Sequence, residues 1–279
     1  MTLRASSREA AIDLLYTAKR FRATFGRPPD LRSPRTFNER IACKKLNDRN
    51  PLLTVLADKL AVRQYVAERA GPSRLTALLC ATEDPARLDV ARLPDQFVVK
   101  ATHGSGCNLF VRDKSRLDLV RTIDLCRQWL AMNFYEVGRE WCYRDIPPRI
   151  LVEELLSGDD GDVPIDFKFF CFGGVPRFIQ VDVHRFADHR RNIYDPAWNR
   201  LPVALHRDNF DWPMVPPDTL HEMLEVAATL SAGLDFIRVD LYSVGNRVVF
   251  GEMTNYPGNG FERFTPDEYD SVFGSAWPC

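Results

Sequence analysis

Two long stretches of strand-forming residues, each interrupted by glycine, most constrain how this chain can fold. One is DFKFFCFGGVPRFIQVDV at 166–183, which turns at Gly173-Gly174. The other is FIRVDLYSVGNRVVFGEMTNYPG at 236–258, which turns at Gly245-Asn246. β-Branched and aromatic residues on both sides of a short glycine-containing turn are typical of an antiparallel hairpin. We therefore expect antiparallel sheets, since parallel strands need long crossover connections.

The first third of the chain has a helical character. Apolar residues from Ser7 to Phe25 follow helical spacing, and Gly26 ends that pattern. Thr36-Phe37-Asn38-Glu39 matches a capping box, and 58–71 predicts a helix that ends at Gly71. Further along, we predict strands at 97–101, 108–112 and 149–156, and helices at 118–134, at 217–232 and after Thr265. Helices followed by hairpins predict an α+β fold rather than a regular βαβ series.

The composition excludes several classes of protein. The 279 residues include 37 basic and 38 acidic side chains, and a net charge of −1 does not indicate nucleic-acid binding. The seven cysteines form no C-x-x-C pair, so reduced thiols are expected rather than a zinc site. The sequence shows no signal-peptide pattern and no apolar run of about 18 residues. We therefore expect a cytoplasmic protein without a membrane span.

A third hairpin, VVKATHGSGCNLFV at 98–111, carries a lysine and two glycines. It is not a Walker loop, because Gly106 is followed by Cys107, and it lacks the third glycine of a Rossmann fingerprint. In protein kinases the glycine-rich loop precedes the lysine, whereas here Lys100 comes first. Two interpretations stay open. Either Lys100 faces solvent on an edge hairpin, or Lys100 and the N–H groups of the loop cover a phosphate.

The last hairpin brings two carboxylates together. Its turn predicts a register in which Asp240 lies opposite Glu252 on one face of the sheet, where like charges destabilise each other. Arg238 on the same face is one means of neutralising them. A divalent cation is the other, because two carboxylates and the amide oxygen of Asn255 are hard ligands that suit Mg²⁺. We favour the metal site.

The hairpin at 166–183 leads into a basic loop. Alternation predicts one apolar face made of Ile165, Phe167, Phe169 and Cys171, with Asp166 and Lys168 on the other face. Lys168 either pairs with Asp166 or Asp182, or meets a phosphate or carboxylate. The basic residues of the loop are His184, Arg185, His189, Arg190 and Arg191. This loop is either solvated or presents its arginines to an anionic substrate.

The order of motifs along the chain closely resembles the TupA-like ATP-grasp family, which is named for teichuronopeptide biosynthesis. The motifs are DKLAVRQYV, FVVKATHGSG, ILVEELL, DFKFFCFGGVPRFIQVDVHRF, RNIYDPAWNRLPV and FIRVDLY followed by VVFGEMTNYPGNGFERF. The resemblance spans about residues 35–272. It implies an ATP-grasp fold, in which two α+β units clamp ATP. The implied parts are a mostly helical N-terminal region at 1–92, a lid subdomain with the glycine-rich hairpin at 93–156, and a C-terminal subdomain with the metal site at 157–279.

The resemblance also implies roles for individual residues. The residues implied for ATP are Lys59, Lys100, His103, Gly104, Ser105, Gly106, Glu153, Glu154 and Leu155. Those implied for Mg²⁺ are Asp240, Glu252 and Asn255, with Lys168 and Arg238 near the transferred phosphate. In the family the metal motif is Glu-x-Asn, but here Asn255 lies one position further from Glu252. Arg185, Arg190 and Arg191 are left as candidates for binding the substrate.

The reaction implied by the resemblance is ATP-dependent ligation. A carboxylate attacks the γ-phosphate to give an acyl phosphate and ADP, and an amine then displaces phosphate to form an amide. The implied substrates are an amino acid and a carboxylated sugar or other small acid of surface-polysaccharide or secondary-metabolite biosynthesis. One alternative is a kinase on the same scaffold, with Asp166 or Asp182 as the base. The other is a non-catalytic module that binds nucleotide or glycan.

Overall fold

The computed structural model describes residues 2–158, 163–184 and 188–278. Its N-terminal part contains α1 (Thr2–Phe25), α2 (Phe37–Asn47), α3 (Leu52–Ala57) and α4 (Val62–Ala70). The predicted capping box is confirmed, because Thr36 Oγ1 accepts a hydrogen bond from the N–H of Glu39 and the Glu39 carboxylate accepts one from the N–H of Thr36. Gly71 follows the last residue of α4, as predicted.

The first sheet has four antiparallel strands in the order β1-β4-β2-β3. These strands are β1 (Leu78–Thr82), β2 (Phe97–Ala101), β3 (Asn108–Val111) and β4 (Ile150–Glu154). Helices α5 (Leu119–Leu130) and α6 (Phe134–Gly138) lie between β3 and β4 in the chain. Strand β1 was not predicted, because its side chains are all exposed or half-buried and give no apolar alternation. It pairs with β4 of the four-stranded sheet, although it lies in the region predicted to be mostly helical.

The second sheet has five antiparallel strands in the order β10-β9-β5-β6-β7. These strands are β5 (Asp166–Phe172), β6 (Val175–Val183), β7 (Arg190–Tyr194), β9 (Phe236–Val244) and β10 (Arg247–Thr254). The two predicted hairpins, β5–β6 and β9–β10, are therefore confirmed. Asp240 lies opposite Glu252 as predicted, although the register between β9 and β10 shifts by one residue at Gly251, where β10 bulges.

The five-stranded sheet is buried on both faces. Phe167, Phe169 and Cys171 pack with α7 (Leu220–Ser231) in one core, as their alternation predicts. Ile165, which was predicted on the same face, is 40% exposed. On the other face, Phe170 belongs to a second core. The face that carries Lys168 is thus polar at one end and aromatic at the other.

The aromatic end of that face is covered by elements from both termini of the described chain. The remaining elements are β8 (Ala204–Leu205), β11 (Phe264–Thr265) and α8 (Glu268–Ser275), with β8 and β11 paired. Phe37 of α2 makes edge-to-face contacts with Phe170, Phe236 and Phe273. These rings fix α2 and α8 against the sheet and leave its polar end facing a cleft.

Helices packed on two antiparallel sheets confirm the predicted α+β class. Over 2–158, 163–184 and 188–278, no helix combines the length and apolar character needed to cross a membrane.

Candidate functional site

A cleft with a volume of about 270 Å³ separates the two sheets. Strands β2 and β4 line one side, and strands β5, β9 and β10 line the other. Most of the residues predicted to bind ATP, Mg²⁺ or the transferred phosphate line this cleft, namely Lys59, Lys100, Ser105, Gly106, Glu153, Glu154, Leu155, Lys168, Asp240 and Glu252. The fold therefore brings together residues that are up to 193 positions apart in the chain, from Lys59 to Glu252.

Several predicted residues lie outside the lining of the cleft. These are His103, Gly104, Arg190, Arg191, Arg238 and Asn255. Arg185 lies outside the described residues. Each of the others makes specific contacts elsewhere in the structure.

The glycine-rich loop is held by the linker between α3 and α4. The Lys59 ammonium donates a hydrogen bond to the carbonyl oxygen of Gly104, and the Lys59 N–H donates to that of Thr102 at 3.1 Å. Burial lowers the pKa of Lys59, and the charge of Glu252 opposes that shift. Lys59 thus holds the loop through these two hydrogen bonds and lies close enough to Glu252 for their charges to interact.

His103 and Gly104 anchor the loop from its other side. His103 is buried with Nε2 3.0 Å from the carbonyl oxygen of Trp129, and burial lowers its pKa. A Cβ on Gly104 would lie 2.7 Å from the ring of Phe134, so only glycine fits there without movement of the ring. Gly106 has a φ of 77°, a left-handed conformation that glycine adopts without strain.

Lys100 is paired with a carboxylate rather than being fully exposed to solvent. Its ammonium donates to Oε2 of Glu153 at 2.7 Å across the β2–β4 ladder. The other oxygen, Oε1, accepts hydrogen bonds from Arg63 and from Thr76 Oγ1, the latter at 2.8 Å. Neither Arg63 nor Thr76 was predicted as a site residue. The DKLAVRQYV motif includes Arg63, but the sequence gives no sign of its contact with Glu153.

Both interpretations of the Asp240–Glu252 pair have support in the structure. Arg238 donates to the two Asp240 oxygens, Nε to Oδ1 and Nη2 to Oδ2, each at 2.7 Å. Its Nη2 also donates to Glu252 Oε1 at 3.1 Å. Burial opposes the charge of Arg238, but Asp240 outweighs burial and raises the pKa of the guanidinium. Arg238 therefore neutralises the pair while both carboxylates still line the cleft.

Lys168 is the second cation at this pair. Its ammonium donates to Asp166 Oδ2 at 2.5 Å and to Asp240 Oδ2 at 2.7 Å. Burial by itself would lower the pKa of Lys168, but Asp166 and Asp240 outweigh it and raise that pKa. Lys168 therefore stays protonated at the edge of the cleft, where a cation can stabilise negative charge on a phosphate.

Asn255 does not line the cleft. Its side-chain Nδ2 donates to the carbonyl oxygen of Leu53 at 2.9 Å, and the residue is 2% exposed. Thr254 lies on the carboxylate face instead, where its Oγ1 is 2.9 Å from Arg238 Nη2 and 3.2 Å from Glu252 Oε1. Strand alternation accounts for this, since position 254 shares a face with 252 and position 255 does not.

Asp240 and Glu252 could hold a magnesium ion, provided that phosphate oxygens of the nucleotide complete its coordination. The described part of the chain has no cluster of three His, Cys, Asp or Glu side chains suited to a metal. Two carboxylates face the cleft, and the Glu252 side chain is 42% exposed. Magnesium is commonly bound by one or two carboxylates together with phosphate oxygens and water. Asp240 and Glu252 match that donor set.

The arginines predicted to bind substrate have other partners. Arg191 is buried and donates from Nε to Asp182 Oδ1 at 2.6 Å, and Arg190 pairs with Asp188 at 2.9 Å. Burial would raise the pKa of Asp182, but Arg191 outweighs burial and holds that pKa below its usual value. Arg191 therefore closes an internal ion pair of β6 and β7, and its role in substrate binding stays a prediction.

A model of the protein family described as TupA-like ATPgrasp matches residues 39–277. The chain belongs to the TupA-like ATP-grasp family. The match contains the whole cleft and confirms both the resemblance and the ATP-grasp fold predicted from the sequence. It excludes α1, which ends at Phe25. A search of curated proteins found no match.

Several solved structures resemble this TupA-like chain. D-alanine–D-alanine ligase from Bacillus anthracis complexed with ATP has 13% identity over 73% of this chain and 57% of that one, with a TM-score of 0.43. Phosphoribosylamine–glycine ligase from Thermotoga maritima has 13% identity over 78% and 55%, with a TM-score of 0.47. The ADP complex of purK, an N5-carboxyaminoimidazole ribonucleotide synthetase, has 10% identity over 74% and 46%, with a TM-score of 0.47. The chain spans about half of the length of these proteins.

Proposed function

We propose that this protein is an ATP- and Mg²⁺-dependent carboxylate–amine ligase that forms an amide bond and releases ADP. The observation that carries the proposal is that one wall of the cleft has groups suited to bind phosphate and the opposite wall has carboxylates suited to bind a metal. The first wall holds Lys100 and the glycine-rich loop, and the second holds Lys168, Asp240 and Glu252. Opposite walls of this kind suit a nucleotide whose phosphates reach the metal-binding carboxylates.

In this proposal each wall has a distinct task. The N–H groups of Ser105 and Gly106, together with Lys100, bind the phosphates of ATP, while the backbone of β4 near Glu154 and Leu155 meets the adenine. Asp240 and Glu252 would hold Mg²⁺, which neutralises phosphate charge and orients the γ-phosphate when it is bound. Lys168 and Arg238 already lie at this pair and would stabilise the charge that develops during phosphoryl transfer.

The carboxylates near Lys168 favour a ligase over a kinase. A kinase needs a base that accepts the proton of the acceptor hydroxyl. Asp182 is fixed by Arg191, which holds its pKa low, and Asp166 is bonded to Lys168. A carboxylate substrate carries its own negative charge and requires no such base. Both carboxylates that could serve as the base are thus already bonded to a cation, which favours ligation.

The proposed substrates follow from the family. We propose a small-molecule or glycan carboxylate as acceptor and an amine donor, such as an amino acid joined to a carboxylated sugar or other small acid. The pathway proposed is the biosynthesis of a surface polysaccharide or a secondary metabolite in the cytoplasm.

Hydroxylamine trapping tests the proposal without knowledge of the natural amine. An acyl phosphate is a mixed anhydride, so hydroxylamine should convert it to a hydroxamate. We expect incubation with MgATP, hydroxylamine and a panel of amino acids and sugar acids to yield a hydroxamate and an equal amount of ADP. Lys100→Ala should abolish both products, whereas Lys19→Ala, at an exposed position of α1, should leave them unchanged.

Other products would contradict the ligase. ADP with a stable phosphorylated alcohol and no hydroxamate would identify a kinase. AMP and pyrophosphate would indicate adenylation and refute the ATP-grasp mechanism. Binding of MgATP without any turnover across the panel would favour the non-catalytic module.

A further inference from the structure

The Glu153 carboxylate lies between two cations in the cleft wall. Val98 is directly opposite Glu153 in the β2–β4 ladder, so Lys100, two residues further along β2, is its diagonal neighbour on the same face. Lys100 binds Oε2, and Arg63 of α4 binds Oε1. The Glu153 side chain is 7% exposed, so these charges interact where water screens them little.

This arrangement lets Lys100 keep a net positive charge although it is paired with Glu153. A lysine paired with a carboxylate of its own would be neutralised and would attract phosphate weakly. Because Arg63 shares the same carboxylate, Arg63, Glu153 and Lys100 carry one net positive charge between them. Lys100 is also the more exposed of the two cations, with 24% of its side chain accessible against 14% for Arg63. The surplus charge is therefore presented by Lys100 toward the cleft.

We infer that Arg63 is a positioning residue for nucleotide phosphates: it neutralises Glu153 through the second carboxylate oxygen, so that Glu153 orients Lys100 without cancelling its charge. The inference rests on the proposed function, because it assumes that ATP occupies the cleft. It predicts that the cleft distinguishes nucleotides from nucleosides through Arg63, although Arg63 itself need not touch phosphate.

A purely structural role is the competing explanation for Arg63. Its Nη2 donates to the carbonyl oxygen of Thr76 at 2.6 Å, which ties α4 to the segment before β1. Loss of that contact would loosen the cleft wall for every ligand equally. Loss of charge balance would weaken only ligands that carry phosphate. The two explanations therefore differ in the ratio of two affinities.

The test measures the affinities of MgATP and of adenosine by calorimetry for each variant. Arg63→Met keeps most of the side-chain volume and removes the charge. We expect it to weaken MgATP about tenfold or more, as for loss of a charged hydrogen bond, and to leave adenosine within about twofold. Arg63→Lys should retain the MgATP affinity within about threefold, because the charge is kept. Arg69→Met, the same change at an exposed position of α4, is the matched control and should alter neither affinity.

The double variant Arg63→Met/Glu153→Gln gives the decisive comparison. Removing both charges leaves Lys100 unneutralised, so the MgATP affinity should recover to within about threefold of wild type. Failure to recover, or equal losses for MgATP and adenosine, would overturn the inference in favour of the structural role. If Arg63→Met does not fold, Arg63→Gln takes its place, since it also removes the charge, and equal losses for MgATP and adenosine would again contradict the inference. Wild-type protein that binds no MgATP would refute the proposed function itself.

Discussion

Neutralising Glu252 should separate catalysis from stability at the carboxylate pair. Glu252→Gln removes one negative charge at nearly constant volume. The Glu252 side chain is 42% exposed, and its hydrogen bond with Arg238 is 3.1 Å long. Partly exposed ion pairs of this kind contribute about 0–1 kcal/mol, so the folded state should lose little. For a domain of this size we expect the melting temperature to fall by at most about 2–4 °C.

Asp240→Asn is the matched variant, because it also removes one negative charge and Asp240 lies directly opposite Glu252 in the β9–β10 ladder. The Asp240 side chain is 2% exposed and accepts hydrogen bonds from Arg238 and Lys168, all at 2.7 Å. Loss of its charge leaves two buried cations with too few partners. Breaking a buried pair in this way costs about 3–5 kcal/mol. The two variants should therefore differ in stability although both reduce metal-dependent turnover.

The assays are thermal unfolding and MgATP-dependent release of ADP with the carboxylate identified by hydroxamate trapping. Glu252→Gln should lower turnover by about 10²-fold, the scale expected when one group that stabilises transition-state charge is lost. Turnover within about threefold of wild type, a barrier change of under 1 kcal/mol, would show that Glu252 serves only as a partner of Arg238. That result would refute the metal site.

Two further predictions concern ligand binding and pH. MgATP at a hundredfold excess over its dissociation constant should stabilise the protein by about 2.7 kcal/mol in thermal unfolding, and no shift with any nucleoside triphosphate would contradict nucleotide binding. Glu39 has its pKa lowered from 4.5 to about 2, because hydrogen bonds from Arg27 and three backbone N–H groups outweigh the effect of burial. Its folded-state pKa is below the unfolded value, so its stabilisation is present above about pH 4.5 and is lost as the pH falls toward 2. Glu39→Gln should lower the free energy of unfolding by about 2 kcal/mol at pH 7, less than the full linkage value because Arg27 is half-exposed, and should change it by almost nothing at pH 2. The control Glu68→Gln, at an exposed position, should change it by less than about 0.5 kcal/mol at both pH values. An equal loss for Glu39→Gln at both pH values would contradict the linkage.

The sequence predicted features that depend on local spacing. Period-two alternation and glycine turns were enough to predict the hairpins of the larger sheet. Asp240 does lie opposite Glu252, but this pairing also depends on the bulge at Gly251, which was not predicted. Thr254 could have been recognised by the same rule, since it is two residues from Glu252, but the family motif drew attention to Asn255. A strand residue cannot change face without a bulge, and Asn255 as a metal ligand stays a prediction.

The features that could not be predicted depend on pairing between distant segments. The Lys100–Glu153 contact requires that β2 and β4 be neighbours, although α5 and α6 separate them in the chain. The contact of Arg63 with Glu153 depends on where α4 packs, and the partner of Arg191 is set by the order of β6 and β7. Such contacts are a property of topology, which the spacing of residues in one strand does not contain.

The separation of the hydrophobic cores has a consequence for how the cleft can work. Among the described residues, the core of the four-stranded sheet shares no buried side chain with the two cores of the five-stranded sheet. A change in the angle between the sheets therefore leaves these three cores intact. Polar contacts that join the two parts, such as the hydrogen bonds from Lys59 to Gly104 and Thr102, would resist such a rotation. A bound ligand can thus set the distance between the walls, and the angle between the sheets then depends on the balance of charges within the cleft.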